Sequence, residues 1–126
     1  MGKKILVVDD DPMIRTLVKE ILSAEGHEVD VAEDGALGIQ HLEKEPRPIK
    51  YELLILDVIM PGMNGLDVLT RLKLHPDTQN IPVLMLTGED RAEDIMNGYN
   101  VGADYYITKP FTRQQLLFGL DTVLNS

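Results

Sequence analysis

The sequence predicts an α/β domain, a doubly wound parallel sheet of five strands with five helices on its two faces. Three observations carry that prediction. Short β-rich apolar runs recur five times along the chain. A longer stretch with helical spacing of apolar residues follows each run. Capping and turn residues stand at the joints. Strand and helix in strict alternation imply right-handed crossovers, parallel strands and helices on both faces.

The first strand is read at Ile5-Leu6-Val7-Val8, an unbroken aliphatic run of the kind buried on both sides. Asp11 and Pro12 then supply an N-cap and a first-turn proline. Ile14, Leu17, Val18, Ile21 and Leu22 continue at helical spacing until Gly26. His27 to Ala32 reads as the second strand, closed by the Asp34-Gly35 turn signal, and Ala36, Ile39 and Leu42 give a weaker helical stripe. Pro46-Arg47-Pro48 cannot continue a helix. Leu53-Leu54-Ile55-Leu56 is a third strand running into Asp57. Pro61-Gly62 makes a turn, and Leu66, Leu69 and Leu72 mark the third helix. Val83 to Leu86 is the fourth strand, opened by Pro82 and ended by Thr87-Gly88. Ala92, Ile95 and Tyr99 share one side of a fourth helix running toward Gly102. Tyr105 to Thr108 is the fifth strand, stopped by Lys109-Pro110. Thr112 caps a last helix bearing Leu116, Leu117, Leu120, Val123 and Leu124.

The chain has 126 residues, so one domain over residues 1–126 is expected, with about two-thirds of its unfolded surface buried. With 44% hydrophobic and 26% charged residues, it has the balance of a folded protein. The absence of cysteine excludes disulfides, zinc-thiolate sites and thiol chemistry. The apolar run after the N-terminus is too short for a signal-peptide core, and nothing approaches transmembrane length, so a cytoplasmic protein without membrane insertion is expected. A net charge of −9 with scattered Lys and Arg argues against direct nucleic-acid contact.

In an open parallel sheet, ligands bind beyond the carboxyl ends of the strands. Those ends carry Asp9, Asp10 and Asp11 after strand one, Asp57 after strand three, Thr87 after strand four and Lys109 after strand five. Two carboxylates about 4 Å apart repel by roughly 4 kcal/mol at an effective dielectric of about 20, so converging acids protonate or recruit a cation. Oxygen ligands with room for water suit Mg²⁺. One aspartate suffices as a helix cap and Asp11 fills that role, which leaves Asp9 and Asp10 for a metal. Asp57 alone would be a turn-initiating aspartate. With Asp10, Thr87 and Lys109 around it, it becomes a nucleophile for phosphorus, forming an acyl phosphate whose oxygens need cationic neighbours. Thr87 would donate its hydroxyl to one phosphoryl oxygen, and Lys109 would pair with another as a compact point charge. A cis Lys109–Pro110 bond would help aim that amine.

The set Ile5-Leu6-Val7-Val8-Asp9-Asp10-Asp11, Leu54-Ile55-Leu56-Asp57-Val58-Ile59-Met60-Pro61-Gly62-Met63-Asn64-Gly65, Leu86-Thr87-Gly88 and Gly102-Ala103-Asp104-Tyr105-Tyr106-Ile107-Thr108-Lys109-Pro110-Phe111 resembles the receiver domain of two-component response regulators. The resemblance covers essentially the whole chain. It implies a flavodoxin-like fold with strand order 2-1-3-4-5. It also implies Asp57 as phosphoacceptor, Asp10 as direct Mg²⁺ ligand and Asp9 as an acid holding the metal largely through water. The backbone carbonyl of Ile59 would complete the protein ligands, Thr87 and Lys109 would touch the phosphoryl group, and Thr87 and Tyr106 would form the switch. The implied donor is a phosphohistidine on a sensor histidine kinase or histidine phosphotransfer protein. The fourth helix, fifth strand and fifth helix would present the altered face to an unknown downstream protein target or to a weak homodimer. Such a protein catalyses its own phosphorylation and slow dephosphorylation without being a metabolic enzyme. A phosphorelay intermediate and the excised receiver of a larger regulator are the alternative settings. Five of the six aromatics lie between Tyr99 and Phe118, as a partner face would favour, with core packing an equal explanation for Tyr99 and Phe118.

Three other readings compete. A phosphatase of the haloacid dehalogenase type needs a second aspartate two residues past the nucleophile as proton donor, and Ile59 stands there. A flavin or nucleotide domain needs a Gly-, Ser- or Thr-rich loop after strand one, where this chain has three aspartates. A pseudo-receiver would have lost an acid or the lysine, and none is lost.

Overall fold

The structure, a computed structural model, describes residues 2–58, 60, 62–88 and 102–125. Strands β1 (Lys4–Val8), β2 (Glu28–Ala32), β3 (Leu53–Asp57), β4 (Val83–Thr87) and β5 (Tyr105–Thr108) form one sheet in the order β2-β1-β3-β4-β5, and every pairing is parallel. Helices α1 (Pro12–Ala24), α2 (Gly35–Lys44), α3 (Gly65–Leu74) and a C-terminal helix (Arg113–Leu124) stand among the described residues. The predicted fourth helix, with Ala92, Ile95 and Tyr99, lies outside them.

The aliphatic runs are continuous because both faces of the sheet are covered. Alternate residues divide between two cores. Leu6 and Val8, Leu54 and Leu56, and Val83 and Met85 pack with Leu42 of α2 and Val68, Leu69 and Leu72 of α3. Ile5 and Val7, Leu53 and Ile55, and Leu84 and Leu86 pack with Val18, Ile21 and Leu22 of α1 and Leu116, Leu120 and Val123 of the C-terminal helix. The central strands are thereby fixed from both sides, which sets where their C-terminal ends lie.

Capping follows the local sequence. Asp11 caps α1 by accepting from the Met13 amide at 2.9 Å, ahead of Pro12. Gly26 then turns the chain with φ +90°, a conformation open to glycine. Thr112 caps the C-terminal helix in a reciprocal pair with Gln115.

Several details differ from the sequence reading. The second strand starts at Glu28, because the His27 amide donates to the Leu22 carbonyl at the end of α1 and the Glu28 amide is the first to donate to the Lys3 carbonyl beside β1. Asp34 caps α2 rather than only closing a turn, accepting from the Leu37 amide. Gly35 and Gly38 join Leu42 on the buried side of that helix, while Ala36 faces solvent. A methyl group at Gly38 would lie 2.9 Å from Val8, so the helix backbone itself meets the sheet and a small residue takes the apolar position. Leu17 is exposed, as are Met13 and Phe118, which removes core packing as the explanation of Phe118.

Candidate functional site

Strand register alone brings the chemistry together. Val8 pairs with Leu56, Asp57 with Leu86 and Thr87 with Thr108, so the residues following β1 and β5 flank the ends of β3 and β4 at one rim. The chain immediately beyond is pinned as well. The Asp9 amide donates to the Ala32 carbonyl, Val58 to Leu86 and Lys109 to Thr87.

Asp9 is fully buried, and each of its polar groups is engaged. Its Oδ1 accepts from the Asp11 amide at 2.9 Å, its Oδ2 from the Lys109 ammonium at 2.8 Å, and its carbonyl from Arg15 Nη1 at 2.8 Å. Lys109 Nζ also stands 3.4 Å from Asp57 Oδ1. Asp57 is 4% exposed and Thr87 2%. Asp10 is exposed, with its carboxylate within 4.8 Å of that of Asp57. The Lys109–Pro110 bond is cis. Glycine is required at the start of α3, where a Cβ on Gly65 would sit 2.2 Å from the Asp57 carbonyl oxygen. That close approach seats the helix against the backbone of the central acid.

Burial pushes the Asp57 carboxyl up to about 7, helped by the Asp9 charge and the neighbouring Asp10 carboxylate and opposed by Lys109. Burial pulls the Lys109 ammonium down, but the hydrogen bond to Asp9 and the charges of Asp9 and Asp57 outweigh it, so its pKa is raised. One cation is thus shared among acids that outnumber it. The cluster has room for a second cation.

Oxygens of Asp9, Asp10 and Asp57 all lie within 4.8 Å of one another. Octahedral Mg²⁺ at about 2.1 Å from its oxygens spaces them about 3–4.2 Å apart, so adjustment by tenths of an ångström closes this set around the ion. The residues fit the metal. Carboxylate oxygens with an exposed Asp10 at the mouth also leave space for the waters Mg²⁺ retains.

The family model described as the response regulator receiver domain matches residues 5–120. The chain belongs to that family. It is a receiver domain of the two-component response-regulator type. Among related chains, the phosphate regulon regulator PhoB of Escherichia coli is 38% identical over 124 residues, covering 98% of this chain and 52% of that protein. The probable transcriptional regulatory protein TcrX of Mycobacterium tuberculosis is 38% identical over 120 residues, covering 95% and 49%. This receiver therefore spans about half the length of the curated relatives it matches. Among solved structures, the Vibrio cholerae chemotaxis protein CheY4 superposes with a TM-score of 0.89 at 35% identity, covering 98% of this chain and all of that one. The receiver domain of the Pseudomonas aeruginosa sensor kinase PA1611, solved with magnesium in its active-site cleft, gives 0.87 at 25% identity, covering both chains fully.

Of the positions singled out from sequence, the receiver's fold gathers Asp9, Asp10, Asp57 and Lys109 into one cluster, with buried Thr87 at the end of the adjoining strand. Asp11 serves as a cap. Tyr106 lies half-buried on β5, opposite Met85 and against the α2–α3 core. Ile59 lies outside the described residues. Sequence reasoning missed Arg15. The signal available was a basic residue one turn into a helix that three consecutive aspartates precede.

Proposed function

We propose that Asp57 is the phosphoacceptor of this receiver. One Asp57 carboxylate oxygen attacks the phosphorus of a phosphohistidine, the P–N bond breaks, and the imidazole of the donor leaves with that electron pair. The product is an acyl phosphate on Asp57. Mg²⁺ bound by Asp9, Asp10, Asp57 and the Ile59 carbonyl would neutralise charge on the phosphoryl oxygens and keep Asp57 ionised. Lys109, already within 3.4 Å of Asp57, pairs with a phosphoryl oxygen, and the Thr87 hydroxyl donates to another. Thr87 moves toward the phosphoryl group and Tyr106 turns inward behind it, altering the face made by the predicted fourth helix, β5 and the C-terminal helix. The observation that carries this reading is the convergence of Asp9, Asp10, Asp57 and Lys109 at one rim.

The donor is a sensor histidine kinase or a histidine phosphotransfer protein, and the output is a protein target. Phosphorylation and its slow reversal are the chain's own chemistry, because no acid–base side chain stands two residues past Asp57 to speed turnover. Two settings suit it: a free-standing receiver or relay intermediate, which the full coverage of CheY4 favours, and the input half of a longer regulator, which the half coverage of PhoB favours. No helix among the described residues is long and apolar enough to cross a membrane.

Intact-mass measurement after incubation with acetyl phosphate and Mg²⁺ tests the assignment. One phosphoryl group should add to the wild type and none to Asp57→Asn. Equal labelling of the variant would remove Asp57 from the mechanism.

A further inference from the structure

We propose that Arg15 is a positioning residue for the metal-binding acids, acting through the backbone of Asp9. The inference rests on the site reading above and concerns how Asp10 is aimed. Arg15 lies on the first turn of α1, and its Nη1 donates to the Asp9 carbonyl at 2.8 Å. With that bond made, Asp9 is held at its amide by Ala32, at its carbonyl by Arg15, and at its two carboxylate oxygens by Asp11 and Lys109.

The carbonyl is the point that matters for the next residue. The Asp9 C=O and the Asp10 N–H belong to one rigid peptide plane. Fixing the carbonyl therefore fixes the orientation of that plane, which leaves rotation about the Asp10 N–Cα bond and its side-chain torsions as the freedom in aiming the carboxylate. Asp10 needs the help. It is exposed, and its carboxylate lies within 4.8 Å of those of Asp9 and Asp57. Asp9 is locked by burial whatever Arg15 does, whereas exposed Asp10 is held through its two flanking peptide planes, one fixed by Arg15 on the Asp9 carbonyl and the other by the Asp11 amide on Asp9 Oδ1. A charge-assisted donor is stronger than a neutral one and suits a bond that must hold a loop at the mouth of the site.

Ordering the backbone of one residue before the ion arrives, rather than on its arrival, is worth about tenfold in affinity. Positioning and simple electrostatics make opposite predictions here. Through space, a guanidinium beside the site repels Mg²⁺, so removing it would tighten Mg²⁺ binding. If Arg15 works by holding the Asp9 carbonyl, removing it weakens binding instead.

The experiment is calorimetric titration of Mg²⁺ into the wild-type chain, Arg15→Met and Arg15→Lys. Labelling by acetyl phosphate is followed in parallel as a function of Mg²⁺. The Met variant should bind Mg²⁺ about tenfold more weakly. Its defect should appear as a higher Mg²⁺ concentration for half-maximal labelling rather than as a lower rate at saturation. Arg15→Lys, which can still donate to the carbonyl, should recover at least half of the loss on a logarithmic scale. Unchanged or tighter binding by Arg15→Met overturns the proposal. Should that variant fail to fold, Arg15→Ala takes its place under the same criteria: about tenfold weaker Mg²⁺ binding supports the proposal, and unchanged or tighter binding overturns it. A wild-type chain that neither binds Mg²⁺ nor takes a label would overturn the site reading itself, a result distinct from any failure of Arg15.

Discussion

The cluster of acids makes a prediction about stability that does not depend on any partner. Asp57→Asn is nearly isosteric and neutral at every pH. In the wild type without metal, burial and the Asp9 charge hold the Asp57 carboxyl up to about 7, against 3.8 for the free group. A pKa raised on folding gives stability that is complete below the unfolded value and is lost as pH rises through the folded value. The wild type should therefore lose stability relative to the Asn variant between about pH 4 and pH 7, with the gap constant above that window. Three pKa units correspond to about 4 kcal/mol at about 1.36 kcal/mol each, which is the ceiling. The variant forfeits the Lys109 contact, so about 2 kcal/mol should appear, or a shift of about 1 M in urea midpoint. Urea unfolding at pH 4.5 and pH 8 in a chelator measures it. Mg²⁺ should then close the gap at pH 8, since a ligand at about 100 times its dissociation constant stabilises by about 2.7 kcal/mol and the variant lacks one of its ligands. A gap of the same size at both pH values, or a wild type that is the more stable at pH 8 without metal, would refute the reasoning.

Other consequences follow from single contacts. Lys109→Ala strips a fully buried carboxylate of its cation, so in chelator it should cost about 3 kcal/mol in urea unfolding and become sharply Mg²⁺-dependent. Phosphorylation of that variant can survive, but amide shifts on β5 and the C-terminal helix upon labelling should shrink, as nuclear magnetic resonance would report. Gly65→Ala forces a methyl group against the Asp57 carbonyl and should destabilise by about 1–3 kcal/mol while slowing acetyl phosphate labelling, read by urea midpoint and intact mass. Burial lowers the His27 pKa, so the fold's preference for the neutral ring is fully present above pH 6.5 and fades as pH falls below it. In the Asp57→Asn background, His27→Gln should flatten the loss of stability between pH 7 and pH 5. An unchanged slope would exclude His27 from it.

Much of this was legible in the sequence, for reasons that can be named. The strands were readable because parallel strands covered on both faces need uninterrupted aliphatics, as Ile5 to Val8 and Leu53 to Leu56 provide. The site was readable because the strands end in register, so ionisable residues just past those ends must meet. What stayed hidden was decided by close backbone approach and by single side-chain bonds. The buried side of α2 is carried by Gly35 and Gly38, which no apolar periodicity reveals, and Ala36 misleads by being apolar and exposed. Arg15 is one basic residue on an otherwise ordinary helix until its bond to the Asp9 carbonyl is seen. The half-raised state of Asp57 is a property of how many acids one lysine must serve, and spacing alone does not count them in three dimensions.

The most direct test of the account is to locate the phosphoryl group chemically. Borohydride reduces an aspartyl acyl phosphate to homoserine with release of phosphate, leaving a stable mark where the acyl phosphate stood. Tandem mass spectrometry of the tryptic peptide spanning residues 51–71, taken from protein labelled with acetyl phosphate and Mg²⁺, should place homoserine at position 57. Homoserine at position 9 or 10 instead, with Asp57 intact, would contradict it.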